Sequence, residues 1–386
     1  MKTINAAVIG AGFIGPAHIE ALRRIDAVEV VAVASNNVEQ AENIAEKYAL
    51  AKAYHTWEDC INDDSIEVIH NCTPNNLHFE INKAVLQRGK HIVSEKPLTM
   101  TSRESAELVK LAGAAGVVNA INFNYRFYPL IQHARSLVHK GELGRIYTVH
   151  GQYLQDWLYY DTDYNWRLES NISGISRAVA DIGSHWCDLI QFITGAKITR
   201  VCASLFTVHN TRKKPKTHVA TFQGKEADAP MEYDEIPIDT EDGGSILIQF
   251  DNGAHGVLTV SQVSAGRKNY EWFEIDGSRK AIHWNQEEPN SLWIGYRDKP
   301  NEIVIKDPSL MDAPTRKYAH YPGGHPEGYP DCLKNLFMNV YEFIRSGKNP
   351  AEHHKEFPTF EDGHTEIKIV EAILKSNKEK KWIEVS

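Results

Sequence analysis

The chain of 386 residues has no excess of basic residues: 42 lysines and arginines stand against 51 acidic residues, a net charge of −9. Nucleic acids and anionic membrane surfaces are bound by basic footprints, so this balance speaks against both as partners. Cysteine is sparse. Positions 60, 72, 187, 202 and 332 are scattered, odd in number and without a C-x-x-C pair, which excludes a disulfide scaffold and suits a reducing compartment. No run approaches the roughly 20 apolar residues of a membrane span. Met1-Lys2-Thr3 leads straight into a strand-like segment, leaving no room for a charged and then an apolar leader region. A cytoplasmic protein is expected. Internal repeats and low-complexity tracts are also lacking, and at this length two domains are expected, since single cores stop growing at roughly 250–300 residues.

The first third alternates short apolar runs with helical periodicity. Strands are expected at Ala6–Ile9, Val28–Ala34, Val68–Asn71, His91–Ser94 and Val117–Ile121, and helices at Pro16–Ile25, Val38–Tyr48, His78–Arg88 and Ser102–Ala115. Such alternation means parallel βαβ units and a doubly wound α/β domain, here over residues 1–125. Beyond it the style changes. Helices are expected at Leu130–Lys140 and Ala178–Thr194, the latter stopped by Gly195, with a strand at Ile146–Leu154 between them. From Ile198 to about Ile305 successive strands follow, punctuated by turn signals such as Asp251-Asn252-Gly253 and Asp276-Gly277. The polar segment Lys213–Asp242 reads as a long insertion or mobile loop, and helices at Pro330–Ser346 and Glu361–Lys375 close the chain. Residues 126–386 are thus expected to form an α+β domain on a large, mainly antiparallel sheet, whose terminal helices can pack back on the first domain.

Gly10-Ala11-Gly12-Phe13-Ile14-Gly15 follows the first strand. Gly10 permits the tight turn, Gly12 lets backbone approach a pyrophosphate, and Gly15 allows helix and strand to pack closely. The free N–H groups at the helix start favour phosphate. Alone the pattern can be a plain turn; its place in the first βαβ unit makes it a dinucleotide site. The second strand ends in Ala34-Ser35-Asn36-Asn37, with neither the acid that marks NAD nor an arginine. Ser35 and Asn36 can bond either ribose form, so NAD and NADP both remain open.

Three further segments carry chemistry. Asn71-Cys72-Thr73-Pro74-Asn75-Asn76-Leu77-His78 is a strand end running into a helix. Its composition alone justifies a Thr-Pro turn with Asn caps, yet strand ends on this side of an open sheet also face the cofactor. Glu95-Lys96-Pro97 lies some eighty residues after the glycines, past an apolar strand. Lysines are mostly solvated surface charges, but this one sits at the carboxyl edge of the sheet. Asp181-Ile182-Gly183-Ser184-His185 places a carboxylate and an imidazole at i and i+4, hence on one helical face. A helix cap and a core histidine would by themselves explain the pair; an oriented base near neutral pH is the functional alternative. Asp181, His185 and Asp188 could also ligate a metal, but hydride transfer to nicotinamide needs none when a base is present, and none is expected.

In order and spacing these segments resemble the glucose–fructose oxidoreductase/inositol dehydrogenase (Gfo/Idh/MocA) family, over essentially the whole chain. The resemblance implies a nicotinamide-dependent dehydrogenase of sugars or polyols. It implies catalytic roles for Lys96, Asp181 and His185. It further implies cofactor contacts from Gly10, Gly12, Phe13, Ile14, Gly15, Thr73, Pro74, Asn76, His78, Glu95 and Lys96, with Trp166-Arg167 reaching over the nicotinamide. One departure stands out: the stretch 172–180, glycine-rich in many members, holds only Gly174.

The aromatic run Trp157–Trp166 resembles members acting on disaccharides and on anhydrosugars of the levoglucosan type, since aromatic faces stack on pyranose C–H faces. An aromatic cluster sealing a domain interface is the structural alternative. Tyr125, Arg126, Trp157, Tyr164 and His325 join Lys96, Asp181 and His185 as candidate substrate contacts, with His320 and the 323–327 segment nearby. The expected reaction is oxidation of a secondary hydroxyl to a ketone. The alternatives are an inactive cofactor-bound sugar sensor, an NAD-retaining glycosidase, and an oxidoreductase shuttling a held cofactor between two sugars. A homodimer or homotetramer is expected from an open sheet face.

Overall fold

A computed structural model describes residues 2–216 and 232–386. The chain divides into two compact units: Met1–Phe127 with Tyr329–Ile367, and Tyr128–Gly328 with Lys368–Ser386. The first boundary falls at Phe127/Tyr128, and the late segment Tyr329–Ile367 belongs with the first unit.

The first unit is built on a six-stranded, all-parallel sheet: β1 (Ile4–Ile9), β2 (Val28–Ala34), β3 (Lys52–Tyr54), β4 (Val68–Asn71), β5 (His91–Ser94) and β6 (Asn119–Ile121), in the order β3-β2-β1-β4-β5-β6. Helices α1 (Ile14–Leu22), α2 (Val38–Lys47), α3 (Trp57–Asn62), α4 (Asn75–Gln87) and α5 (Ser102–Ala115) form the connections. Ala6, Ala7 and Val8 are fully buried in sequence, as a strand covered on both faces requires. α5 shows how locally these elements are specified. Thr101 and Glu104 form a reciprocal capping box at its start, and Gly116 closes it at φ 63°. β3 and α3 were not expected; three strand residues between turns leave no periodicity to read. Two later helices, α9 (Tyr329–Arg345) and the first part of α10 (Phe360–Glu379), complete this unit.

The second unit carries a nine-stranded sheet. It comprises β7 (Ile146–Leu154), β8 (Ile198–Phe206), β11 (Gly243–Phe250), β12 (His255–Ser261), β13 (Tyr270–Gly277), β14 (Ala281–Asn285), β15 (Ser291–Gly295), β16 (Glu302–Ile305) and β17 (Ile383–Glu384). The order is β16-β15-β14-β13-β7-β12-β11-β8-β17, and only the β7/β12 pair is parallel. A separate hairpin, β9 (Thr211–Pro215) and β10 (Tyr233–Pro237), occupies both ends of the segment expected to be a loop; its middle, 217–231, lies outside the described residues. Residues alternate along the strands: Val149 and Tyr153, Phe273 and Ile275, Ile246 and Ile248 are buried, while Leu247, Val257 and Ile303 stand exposed on the other face.

Helices α6 (Pro129–His139), α7 (Ser170–Ser173) and α8 (Ser184–Thr194) belong to this unit. Trp186 of α8 reaches β13, donating its indole N–H to the Trp272 carbonyl at 3.1 Å. Two details differ from expectation. The turn after β13 falls at 278–280, with Asp276 still paired to Ala281 and Gly277 at a bulge. The helix expected over 178–194 is also broken in character: Val179–Gly183 is a π-helical turn, followed by the regular α8.

Candidate active site

In the first unit the sheet order reverses at β1, whose neighbours are β2 and β4. Ligands of open α/β sheets bind outside the strand ends at such a point. Gly10 there adopts φ 107°, and a Cβ on it would lie 2.4 Å from the Cys72 carbonyl oxygen; one on Gly15 would lie 2.1 Å from the Gly10 oxygen. Nothing lies within 4 Å of a Cβ position on Gly12, leaving the approach that a pyrophosphate needs. Phe13 and Gly12 are exposed and Ile14 is half-buried. These residues fit a dinucleotide. After β2, Ser35 Oγ contacts Gln40 Oε1 at 3.3 Å, while Gln40 Nε2 donates to the Ala11 carbonyl at 2.9 Å; Asn36 is exposed. The Ser35–Asn37 turn is thereby tied to the glycine loop without adding a charge.

The loops after β4 and β5 are linked by His78. Its Nδ1 lies 2.6 Å from the Pro97 carbonyl and its Nε2 2.8 Å from that of Thr73. Burial pushes the imidazole below its usual range, against the pull of both carbonyls. The expected Asn caps of α4 are not formed; Pro74 occupies that position without a side-chain bond. Asn71 shapes the turn instead, accepting from the Thr73 N–H and hydroxyl at 3.3 and 2.7 Å. Asn76 is exposed.

Glu95 is buried. Burial alone would raise its carboxyl, but His18, Asn122 and the Lys96 charge outweigh it and hold the group at about 2. The Lys96 backbone N–H donates to Glu95 Oε2 at 3.3 Å. Lys96 itself is half-buried, and its bond to Pro97 is cis. Nearby in sequence, Tyr125 is buried edge-on to Tyr329 at 6.2 Å, and the Arg126 guanidinium is paired with Asp362 at 2.8 Å. Both take structural partners within the first unit.

In the second unit Asp181 is the focus. Arg167 Nε lies 3.3 Å from its Oδ1, and Gln262 Nε2 donates to its Oδ2 at 2.9 Å. Arg167 in turn stacks over Trp166 at 4.4 Å, so the aromatic segment and the carboxylate are physically joined. His185 is buried, with the Tyr153 ring 6.3 Å away.

Sequence reasoning missed the support beneath Asp181. Arg177 is buried and donates to Asp242, which also receives Arg212 at 2.7 Å. Glu241 Oε1 accepts the Arg177 and Val179 N–H groups, each at 2.9 Å, and the Ser176 hydroxyl at 2.7 Å. This cluster anchors the glycine-poor segment that departs from the family pattern. Acidic residues at 241–242 and an arginine at 177 offered no local signal, because they meet only through the fold.

Trp157 donates its indole N–H to Gln155 at 2.8 Å, and Trp157 and Tyr164 pack against Leu158, Leu168 and Ile238. Burial first, and then Glu169, push the Tyr164 phenol up to about 12. Tyr159 and Tyr160 are exposed. His325 is exposed and bonded only 3.3 Å away within its own loop, to Gly323, while Glu327 is buried against Lys306 at 2.7 Å. That segment is thus braced by an internal ion pair. Among the described residues, the ligand grouping tight enough for a metal is not 181/185/188 but His150, Glu274 and Asp276, within 4.8 Å of one another. No helix among them is long and apolar enough to cross a membrane.

Residues 4–123 match the GFO_IDH_MocA model, an oxidoreductase family with an NAD-binding Rossmann fold, and 131–283 match the GFO/IDH/MocA C-terminal domain. The chain is 28% identical to levoglucosan dehydrogenase of Pseudarthrobacter phenanthrenivorans over 100% of its own length and 99% of the relative's. It is 24% identical to an NADP-dependent scyllo-inositol 2-dehydrogenase of Bacillus subtilis over 99% and 96%. Among solved structures, levoglucosan dehydrogenase in complex with NADH and L-sorbose is similar at TM-score 0.89 and 28% identity, covering 100% of both chains.

Proposed function

This chain belongs to the Gfo/Idh/MocA oxidoreductase family, and from that premise we propose that it oxidises a secondary hydroxyl of a sugar or anhydrosugar to a ketone. The observation that supports this reading most is the full-length similarity to levoglucosan dehydrogenase. The ion pair of Arg167, itself stacked over Trp166, with Asp181 agrees with it, joining the aromatic segment to a carboxylate.

The glycine loop, Ser35, Asn36, Thr73, Pro74, Asn76, His78 and Glu95 would hold NAD or NADP, which when bound accepts the hydride. His185 takes the hydroxyl proton as general base. Asp181 orients the imidazole and favours its charged form. Lys96 is the donor that would stabilise negative charge developing on the reacting oxygen. Trp157 and Tyr164 supply apolar faces to the sugar ring, and Tyr125, Arg126 and His325 contribute at its periphery. A second copy of the chain would cover the exposed Leu247, Val257 and Ile303 of the open sheet face.

The test is a panel of anhydrosugars, hexoses, disaccharides and inositols, each with NAD and with NADP. Stoichiometric cofactor reduction accompanied by ketone formation is expected. Binding without reduction would replace the reading by a sensor, and bond cleavage without net reduction by a glycosidase.

A further inference from the structure

A buried hydrogen-bonded chain crosses the first unit from α9 to the Glu95–Lys96 turn. Tyr341 Oη on α9 lies 3.0 Å from His70 Nε2 on β4. His70 Nδ1 lies 3.0 Å from His18 Nδ1 on α1, and His18 Nε2 lies 2.9 Å from Glu95 Oε1. Both imidazoles have no exposed surface. Phe337, one turn before Tyr341, packs on both rings at 4.7 and 4.9 Å.

The proton positions follow from pairing rules. Two imidazole nitrogens in hydrogen-bond contact share one proton, so one Nδ1 donates and the other accepts. The Glu95 carboxylate faces donors: the Asn122 amide also reaches Oε1, and the Lys96 backbone N–H reaches Oε2. An ionised carboxylate only accepts, so His18 Nε2 must be its third donor. In the arrangement without a buried imidazolium, His18 Nδ1 then accepts from His70 Nδ1–H. His70 Nε2 is left to accept the Tyr341 hydroxyl. One direction of donation satisfies every nitrogen and oxygen along the chain.

We propose that His18 is a positioning residue for the turn that carries Lys96, its Nε2–H fixing the Glu95 carboxylate, which in turn sets its tautomer and, through His70, the direction of the bond to Tyr341. The proposal rests on the dehydrogenase reading for its kinetic consequence but not for its proton arrangement. A carboxylate held from three sides clamps the backbone that leads into Lys96. Remove the His18 donor and the carboxylate keeps its burial but loses a charge-assisted bond, so the turn relaxes. A purely packing role for His18 would need neither a particular nitrogen nor a particular tautomer.

Two substitutions separate these cases. The amide of His18→Gln reaches the position of Nε2; that of His18→Asn reaches only Nδ1. With the best substrate of the panel, His18→Gln is expected to retain most of the native kcat. His18→Asn is expected to lose about 10- to 100-fold, the value of one charge-assisted bond, with KM for the cofactor little changed. Equal activities in the two variants would overturn the proposal.

Nitrogen NMR of the unmutated protein, labelled at histidine, decides it independently should either variant fail to fold or the panel yield no substrate. The two rings are identified by the coupling between their Nδ1 atoms. His18 as the Nε2–H tautomer and His70 as the Nδ1–H tautomer are expected; a protonated His18 Nδ1 or His70 Nε2 would refute the chain's direction. An empty panel beside the expected tautomers would instead count against the dehydrogenase reading alone.

Discussion

Asp181 is gripped at both oxygens, by Arg167 at 3.3 Å and by Gln262 at 2.9 Å. Gln262 is itself 3.4 Å from the buried Arg177, so the carboxylate is oriented from its own segment and from the strand edge together. Replacing Gln262 by Leu removes one charge-assisted hydrogen bond to Asp181 and leaves the Arg167 pair. A fall in kcat of about 10- to 100-fold is expected, the rate equivalent of about 1.5–3 kcal/mol. Steady-state kinetics with an unaltered melting temperature would check it.

Lys96→Ala tests the electrostatic role directly. Loss of a donor at a developing oxyanion is expected to reduce kcat by about 10²–10³-fold, while cofactor affinity, followed by quenching of protein fluorescence, stays within a few-fold. Unchanged turnover would remove Lys96 from the chemistry. His185→Ala is expected to abolish the neutral limb of the pH–rate profile as well as most of the turnover.

Gly10→Ala addresses the cofactor cradle. At φ 107°, with a carbonyl oxygen 2.4 Å from the new Cβ, the backbone of the turn must move. Strain of about 1–3 kcal/mol is expected, together with loss of cofactor binding in a calorimetric titration.

Asp242 has two buried guanidinium partners and no exposed surface. Asp242→Ala would leave Arg177 and Arg212 as uncompensated buried cations. Destabilisation of about 3–5 kcal/mol is expected in denaturant unfolding. Activity is expected to fall alongside, because Arg177 leads directly into the turn that bears Asp181.

Glu271 gives the clearest pH effect. It is fully buried on β13, and neither oxygen has a hydrogen-bond partner among the described residues. Burial, and then the charge of Asp188, push its carboxyl well above the usual range. An acid whose pKa is raised by folding holds its proton more tightly in the native state. It therefore costs stability as pH rises from the unfolded value, 4.5, toward the native one. Glu271→Gln should remove this cost. The melting temperature of the variant relative to the native protein is expected to be higher at pH 8 than at pH 5; an equal difference at both would show that Glu271 does not titrate there.

What the sequence determined by itself was local and periodic. Continuous apolar strands, a capping box at Thr101 and Glu104, a left-handed Gly195 and the glycine turn at Gly10 are each written in neighbouring residues. They suffice for a parallel sheet with a dinucleotide loop after its first strand. The motif residues Lys96, Asp181 and His185 were legible for the same reason, as short patterns at strand and helix ends. What surrounds them was not. Arg177 with Asp242, Gln262 with Asp181, and His18 with His70 and Glu95 are pairings across 65, 81, 52 and 77 positions. No periodicity selects one long-range partner over another. Only the tertiary structure decides that, because buried polar groups must find hydrogen bonds wherever the packed elements bring them.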